Sequence, residues 1–140
     1  MSIGDWHDPM SNPVLTTGTV PWTEVQTTAA EEQFATGSVR GDRAGKGRYD
    51  LLPPEALHRY AVHMENGAKV YGDRNWEKGQ PISRYLDSAL RHLFKYLLGL
   101  KDEDHLAAAF WNIGAALTTE ERVNNGTLPS ELADLPWMEN

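Results

Sequence analysis

The segment LAAAFWNIGAAL, residues 106–117, constrains this chain more than any other stretch of its sequence. It is apolar nearly all round a helix, so it belongs at the centre of a bundle, and its alanines permit close backbone approach. The acidic run KDEDH before it complements the positive end of a helix dipole, and the pattern predicts a helix from about Glu103 to Leu117. Two further helical patterns are available to cover it. The first opens at Pro53-Pro54-Glu55, places Leu57, Tyr60, Ala61, Met64, Ala68 and Tyr71 on one stripe, and ends at Gly72. The second follows Pro81 with Ser83 as a cap, carries Leu86, Ala89, Leu90, Leu93, Phe94 and Leu97, and stops at Gly99. Three helices on short loops predict an all-α fold, a compact helical bundle. Few other elements are left to cover the third helix, so the expectation is a homo-oligomer with Ala107, Ala108, Trp111 or neighbours at the interface.

The flanks read differently. Residues 1–47 are rich in Thr, Gly, Pro and Ser and are expected to form an irregular arm with a basic, Gly-rich end; within it PWTEVQTT suits a short strand and AAEEQF one helical turn. Residues 48–123 form the expected helical domain. Residues 124–140 form a Pro- and Gly-interrupted tail whose Leu128, Leu132, Leu135 and Trp137 are expected to dock. There is no internal repeat.

Composition excludes several function classes. No apolar run approaches the roughly 18 residues of a membrane span, and the N-terminus lacks a basic then apolar secretory pattern, so the expectation is a cytoplasmic protein with no membrane partner. Cysteine is absent, which removes disulfides, thiolate nucleophiles and Cys-based zinc sites and leaves carboxylate and His ligation. A net charge of −7 argues against a nucleic-acid partner but leaves room for a small phosphorylated ligand on a local basic patch.

Polar residues interrupt the apolar patterns. Glu65 shares a helix flank with His58 and Lys69, and Asp87 stands four residues before Arg91, with His92 next; both arrangements fit either exposed ion pairs or chemistry. His105 and Asn112 interrupt the most apolar helix, so they belong either to a satisfied hydrogen-bond network or to a site. Arg40, Arg43, Lys46 and Arg48 lie among glycines in SVRGDRAGKGRYD, which suits a flexible basic loop or close approach to phosphate, although no Walker A motif is present. GAKVYGDRNWEKG, residues 67–79, joins glycines and an indole with Lys69, Asp73, Arg74, Asn75 and Lys78, a set suited to a nucleotide.

Three blocks in order, GKGRYDLLPPEALHRYAVHMENGAKVYGDRNWEKG, SRYLDSALRHLFKYL and DEDHLAAAFWN, resemble the phage-associated dATP/dGTP diphosphohydrolase family, MazZ-like relatives of the all-α MazG-type nucleoside-triphosphate pyrophosphohydrolases. The likeness spans about residues 45–120. It implies an oligomeric helical enzyme of the host cytoplasm that uses Mg²⁺ or Mn²⁺ to hydrolyse a purine dNTP, dGTP or dATP, to the monophosphate and pyrophosphate. MazG-type enzymes hold their metals with ExxE and ExxD pairs on successive helices, and neither spacing occurs cleanly here. The resemblance therefore assigns catalysis and metal binding to Glu65, Asp87 and Asp104, one from each helical block, with Glu55, Asp102 and Glu103 in reserve and Glu103 read as a helix N-terminal charge. Lys69 and Arg91 are expected to neutralise the triphosphate, and Asn75 and Trp76 to meet the base. Lys46, Arg48, His92, His105 and Asn112 complete the expected substrate-binding set. Two other classes fit the same residues, a non-catalytic helical assembly protein and a regulator that binds a purine nucleotide without turnover.

Overall fold

The computed structural model describes residues 30–138. Three helices dominate: α1 (Pro54–Tyr71), α2 (Ile82–Leu97) and α3 (His105–Asn124). Before them β1 (Glu31–Gln33) pairs antiparallel with β2 (Val39–Gly41), Glu32 opposite Arg40. The helical turn expected of AAEEQF is therefore a strand: the turn at Gly37, with φ +85°, brings Phe34 N–H to the Ser38 carbonyl at 2.9 Å and closes a hairpin. The strand expected of PWTEVQTT lies outside the described residues.

As its composition demands, α3 packs against both other helices. Its face of Ala107, Ala108, Ala109, Ala115 and Ala116 is buried, and small side chains there admit bulky ones from α2. Ile82 and Tyr85 meet Ala115 and Ala116 in the core, while the Tyr85 and Trp111 rings stand edge to face with centroids 5.8 Å apart. Ala107 and Ala108, at 5% and 0% exposure, are thus covered within one chain and are not free to form an interface. The apolar side chains that remain exposed on α3 are Phe110, Ile113 and Leu117.

The buried stripe of α2 is also rotated from expectation. Ile82, Tyr85 and Ala89 face the core, whereas Leu90, Leu93, Phe94 and Leu97 are exposed. The aromatic ring of Tyr85 fills the groove beside the α3 alanines, and no described element covers the leucine flank. Helix α1 has no fully buried residue; it rests Tyr60, His63, Met64, Gly67 and Ala68 half-buried and leaves Leu57 and Tyr71 exposed. Tyr60 meets Phe110 edge to face at 5.2 Å.

Helix ends follow local chemistry. α1 ends at Gly72, whose φ of +86° continues no helix. Asp104 caps α3, accepting from Ala107 N–H at 3.1 Å. α3 continues past Leu117 because Glu120, Glu121 and Arg122 are good helix formers, and Thr118 donates its hydroxyl to the Gly114 carbonyl at 2.9 Å. Ser83 does not cap α2. Asp134, from the tail, accepts from the Ser83 N–H at 2.9 Å and also bonds its hydroxyl, so the tail serves the α2 N-terminus.

The tail docks largely as expected. Leu128, Leu132 and Leu135 are half-buried, and Leu135 and Met138 join the core cluster; Trp137, at 72% exposure, does not dock because the last turn carries its ring outward. Gly79 marks the closest approach: its φ is +79°, and an added Cβ would stand 2.7 Å from Leu132 Cδ1 and 2.9 Å from Leu128 Cδ1. Among the described residues no helix is long and apolar enough to cross a membrane.

Candidate functional site

Where α1 ends, its backbone breaks in a way that opens a cavity. After Gly72, Arg74 adopts φ +58°, the one non-glycine residue with positive φ among those described, and begins a 3-10 turn over Asn75–Lys78. Such conformations cost free energy and persist where surroundings enforce them. Here Arg74 Nη1 pairs with Glu77 Oε1 at 3.0 Å, Arg122 Nη1 donates to the Glu77 carbonyl at 3.4 Å, and the Arg122 guanidinium lies 5.1 Å from the centroid of the Trp76 ring. The distal part of α3 therefore holds the loop in place.

The cavity, about 330 Å³, lies at the small end of ligand sites, which are roughly 300–1,000 Å³. The end of α1 gives it His63, Met64, Gly67, Ala68 and Tyr71; the loop gives Arg74, Asn75, Trp76 and Gln80; α2 gives Ser88 and α3 gives Trp111 and Asn112. Asn112 is buried and donates Nδ2–H to the Ala108 carbonyl at 2.8 Å, which fixes its amide at the wall. His63 tilts against Trp111 with ring centroids 5.8 Å apart. Aromatic faces with a few fixed amides suit a flat heterocycle.

A second polar group lies along the same α2–α3 seam. His92 stands four residues beyond Ser88, and His105 seven before Asn112, so the group is displaced from the cavity wall by about 6 Å along α2 and about 10 Å along α3 at helical rise. His92 Nδ1 is 3.2 Å from His105 Nδ1; Glu103 Oε1 is 3.5 Å from the first and 3.6 Å from the second. His105 Nε2 contacts Asp102 Oδ1 at 2.8 Å. Since a carboxylate only accepts, Nε2 carries a proton there, and Nδ1 is the His105 nitrogen that faces His92. Burial holds the His92 pKa below its usual value, aided by the charges of His105, Arg91 and Lys95 and opposed by Glu103. The hydrogen bond from His105 holds Asp102 below the usual carboxylate range. Lys95 Nζ lies 3.8 Å from Asp102 and 3.9 Å from Glu103.

Of the residues expected at the site, Asn75, Trp76 and Asn112 line the cavity, and His92 and His105 form the adjacent group. Glu65 and Lys69 make an exposed i, i+4 pair at 3.2 Å, one position from the cavity-lining Met64. Asp87 is exposed beside Ser88, and Arg91 donates to the Ser88 hydroxyl at 2.6 Å. Asp104 grips Arg59, with Arg59 Nε donating to Oδ2 at 2.8 Å; that hydrogen bond is the main reason its pKa falls to about 2. Lys46 and Arg48 lie in the loop before α1, away from the cavity lining, and Arg48 pairs with Asp50 at 2.8 Å. Glu65, Asp87 and Asp104 do not converge. Among the described residues, the group whose ligand atoms could share one ion is His92, Glu103 and His105.

His63, Gln80, Ser88 and Trp111 line the cavity without having been expected there, whereas Arg74 belongs to the nucleotide-suited set of residues 67–79. The i, i+4 spacing of Ser88 and His92 was a usable signal, as was the i, i+7 spacing of His105 and Asn112. Comparison with curated proteins and with solved structures returns no match. Residues 36–127, which span β2, all three helices, the cavity loop and the histidine group, match the family described as dATP/dGTP diphosphohydrolase, N-terminal, and the chain belongs to that family.

Proposed function

We propose that this chain hydrolyses a purine deoxynucleoside triphosphate, dATP or dGTP, to the monophosphate and pyrophosphate with the help of Mg²⁺ or Mn²⁺. The observation that carries the reading is the family match, which covers the cavity and every helix that lines it. In this reading Trp76 and Trp111 give the purine apolar faces, and Asn75, Asn112 and Gln80 meet its polar edge. Arg74 lines the cavity, Arg91 lies at its rim on Ser88, and Lys69 follows the lining Ala68; in this reading the three meet phosphate oxygens. Water adds across one P–O–P bridge: phosphorus gains the water oxygen, and pyrophosphate leaves with the bridging oxygen.

A divalent ion on the triphosphate would offset its charge and activate the attacking water. Mg²⁺ prefers oxygen ligands and commonly binds through one or two carboxylates together with substrate phosphates. Glu65 and Asp87, both exposed and each next to a cavity-lining residue, fit that use. Asp104 would have to release Arg59 to join them. The exposed apolar flanks, Leu90, Phe94 and Leu97 on α2 and Phe110, Ile113 and Leu117 on α3, support a homo-oligomer, which light scattering at micromolar concentration tests.

The deciding assay measures pyrophosphate release from each dNTP, with Mg²⁺ or with EDTA. Release from purine dNTPs that EDTA abolishes is expected. Orthophosphate as first product, or turnover indifferent to EDTA, would overturn the reading; binding without turnover would point to a regulator, and neither binding nor turnover to an assembly protein.

A further inference from the structure

We propose that His92, Glu103 and His105 form a binding site for one divalent transition-metal ion of the Zn²⁺ or Co²⁺ class, distinct from the Mg²⁺ or Mn²⁺ that would travel with a triphosphate. The argument is geometric. Ligands about 2.0–2.1 Å from a tetrahedral ion lie about 3.3–3.4 Å from one another. The three ligand-to-ligand distances here are 3.2, 3.5 and 3.6 Å, so the triangle already has the dimensions of one face of such a coordination shell.

His105 is set up to ligate, whereas His92 Nδ1, the donor in the 3.2 Å contact when His105 Nδ1 offers its lone pair, would pass its proton to Nε2 as the ion binds. Asp102 accepts from His105 Nε2–H, the carboxylate–histidine arrangement that orients a ligating imidazole and directs its other nitrogen to the metal. That other nitrogen, His105 Nδ1, faces the triangle, and His105 is almost wholly buried, so its ring cannot turn to solvent. The Glu103 and Asp102 carboxylates bring two negative charges to the group, with Lys95 between them and Arg91 next to His92 as the opposing cations. Two imidazole nitrogens and one carboxylate favour a borderline ion over Mg²⁺, which prefers oxygen alone. Three protein ligands leave a coordination position for water or a phosphate oxygen, the arrangement of reactive rather than closed structural sites.

The site rests on side-chain geometry and not on turnover, so its test can fail separately from the hydrolase reading. The 140-residue chain, stripped with EDTA and dialysed, is titrated with Co²⁺ alone and followed by its visible ligand-field absorption and by calorimetry. One Co²⁺ per chain is expected, displaced by Zn²⁺ and indifferent to a large excess of Mg²⁺. His92→Gln and Glu103→Gln should each weaken Co²⁺ binding by about 100-fold or more, and Asp102→Asn by about 10- to 100-fold, the range for loss of an orienting partner. His58→Gln, an exposed histidine on α1, should leave it unchanged. His105 is omitted because its burial risks the fold, and circular dichroism checks that the other variants stay folded. Absence of Co²⁺ binding below millimolar concentration would overturn the site, as would binding that survives in both folded variants, His92→Gln and Glu103→Gln. Pyrophosphate release without Co²⁺ binding would sink this proposal alone, and Co²⁺ binding without turnover would sink only the hydrolase reading.

Discussion

The two ends of the α2–α3 seam are built from the same pair of helices and differ in almost every chemical respect. At the end near the chain's tail, Ile82 and Tyr85 press on Ala115 and Ala116 beneath Leu135 and Met138, and the contact is aromatic on aliphatic. At the other end His92 and His105 meet under Asp102, Glu103 and Lys95, and the contact is nitrogen and oxygen. Close packing of apolar surface stabilises the first end, because every buried methylene adds favourable transfer free energy. The second end gains little of that and must satisfy each buried donor and acceptor instead. Apolar packing and polar contacts are thus separated along one interface, with Ser88 and Asn112 at the transition, where the cavity opens.

The sharpest way to break this comparison is to remove the ring at the apolar end. Tyr85 is 1% exposed and packs on Trp111, so Tyr85→Ala leaves a cavity and should cost about 3–5 kcal/mol in urea unfolding, in line with other large-to-small aromatic losses. Glu103→Gln at the polar end should cost less than about 1 kcal/mol, since the side chain is substantially exposed and its pairs are screened. Similar losses at the two ends would show that the division does not hold.

The cavity between them responds in binding rather than in folding. If Trp76 offers a face to the base, Trp76→Ala should raise KM for a purine dNTP by about tenfold, within the roughly 1–3 kcal/mol attributed to stacking one base on an aromatic ring. An unchanged KM with reduced stability would assign Trp76 to holding the loop through Arg122 alone.

The apolar end also depends on how closely the tail approaches. Gly79→Ala forces a Cβ onto Leu128 and Leu132 at a backbone angle that L-residues rarely adopt, and a loss of about 1–3 kcal/mol is expected in thermal or urea unfolding. The histidine end should keep its Co²⁺ affinity in this variant, because Gly79 meets the tail leucines and not the junction between the end of α2 and the start of α3. Loss of both would mean that the two ends are coupled.

Much of this architecture is written in the sequence at short range. The helix count, the Pro and Gly stops and the central position of α3 follow from periodicity and from residues that act within a few positions. The buried faces were less legible: Tyr85 and Leu90 are both acceptable core residues, and only the actual α2–α3 contact, where alanines leave space for a ring, decides between them. The same limit applies to the histidine group. His92 and His105 belong to different helices, and their meeting depends on an antiparallel crossing that no spacing rule encodes. Asp104 poses the opposite difficulty, because its observed contacts are a helix cap and an ion pair to α1. It caps its own helix and holds Arg59, and from sequence a capping carboxylate looks the same as a metal ligand.

That distinction gives the smallest and most specific test. Asp104→Asn keeps a side chain able to cap α3 and removes only the charge that Arg59 engages. The folded-state pKa of Asp104 is about 2, below the ordinary 3.8, so the folded state favours the carboxylate. For a depressed pKa the stabilisation is fully present above the unfolded value and disappears as pH falls through the folded one. Wild type should therefore melt slightly higher than Asp104→Asn at pH 6 to 7, with the gap narrowing below about 3.8 and closing near 2. Taking the difference between the two proteins at each pH cancels the acid loss shared by other carboxylates, Asp102 and Asp134 among them. The pair is partly exposed, so added salt should shrink the gap at neutral pH. If Asp104 instead served a divalent ion, the variant would lose Mg²⁺-dependent stabilisation, and the gap at neutral pH would widen with Mg²⁺ rather than shrink with salt.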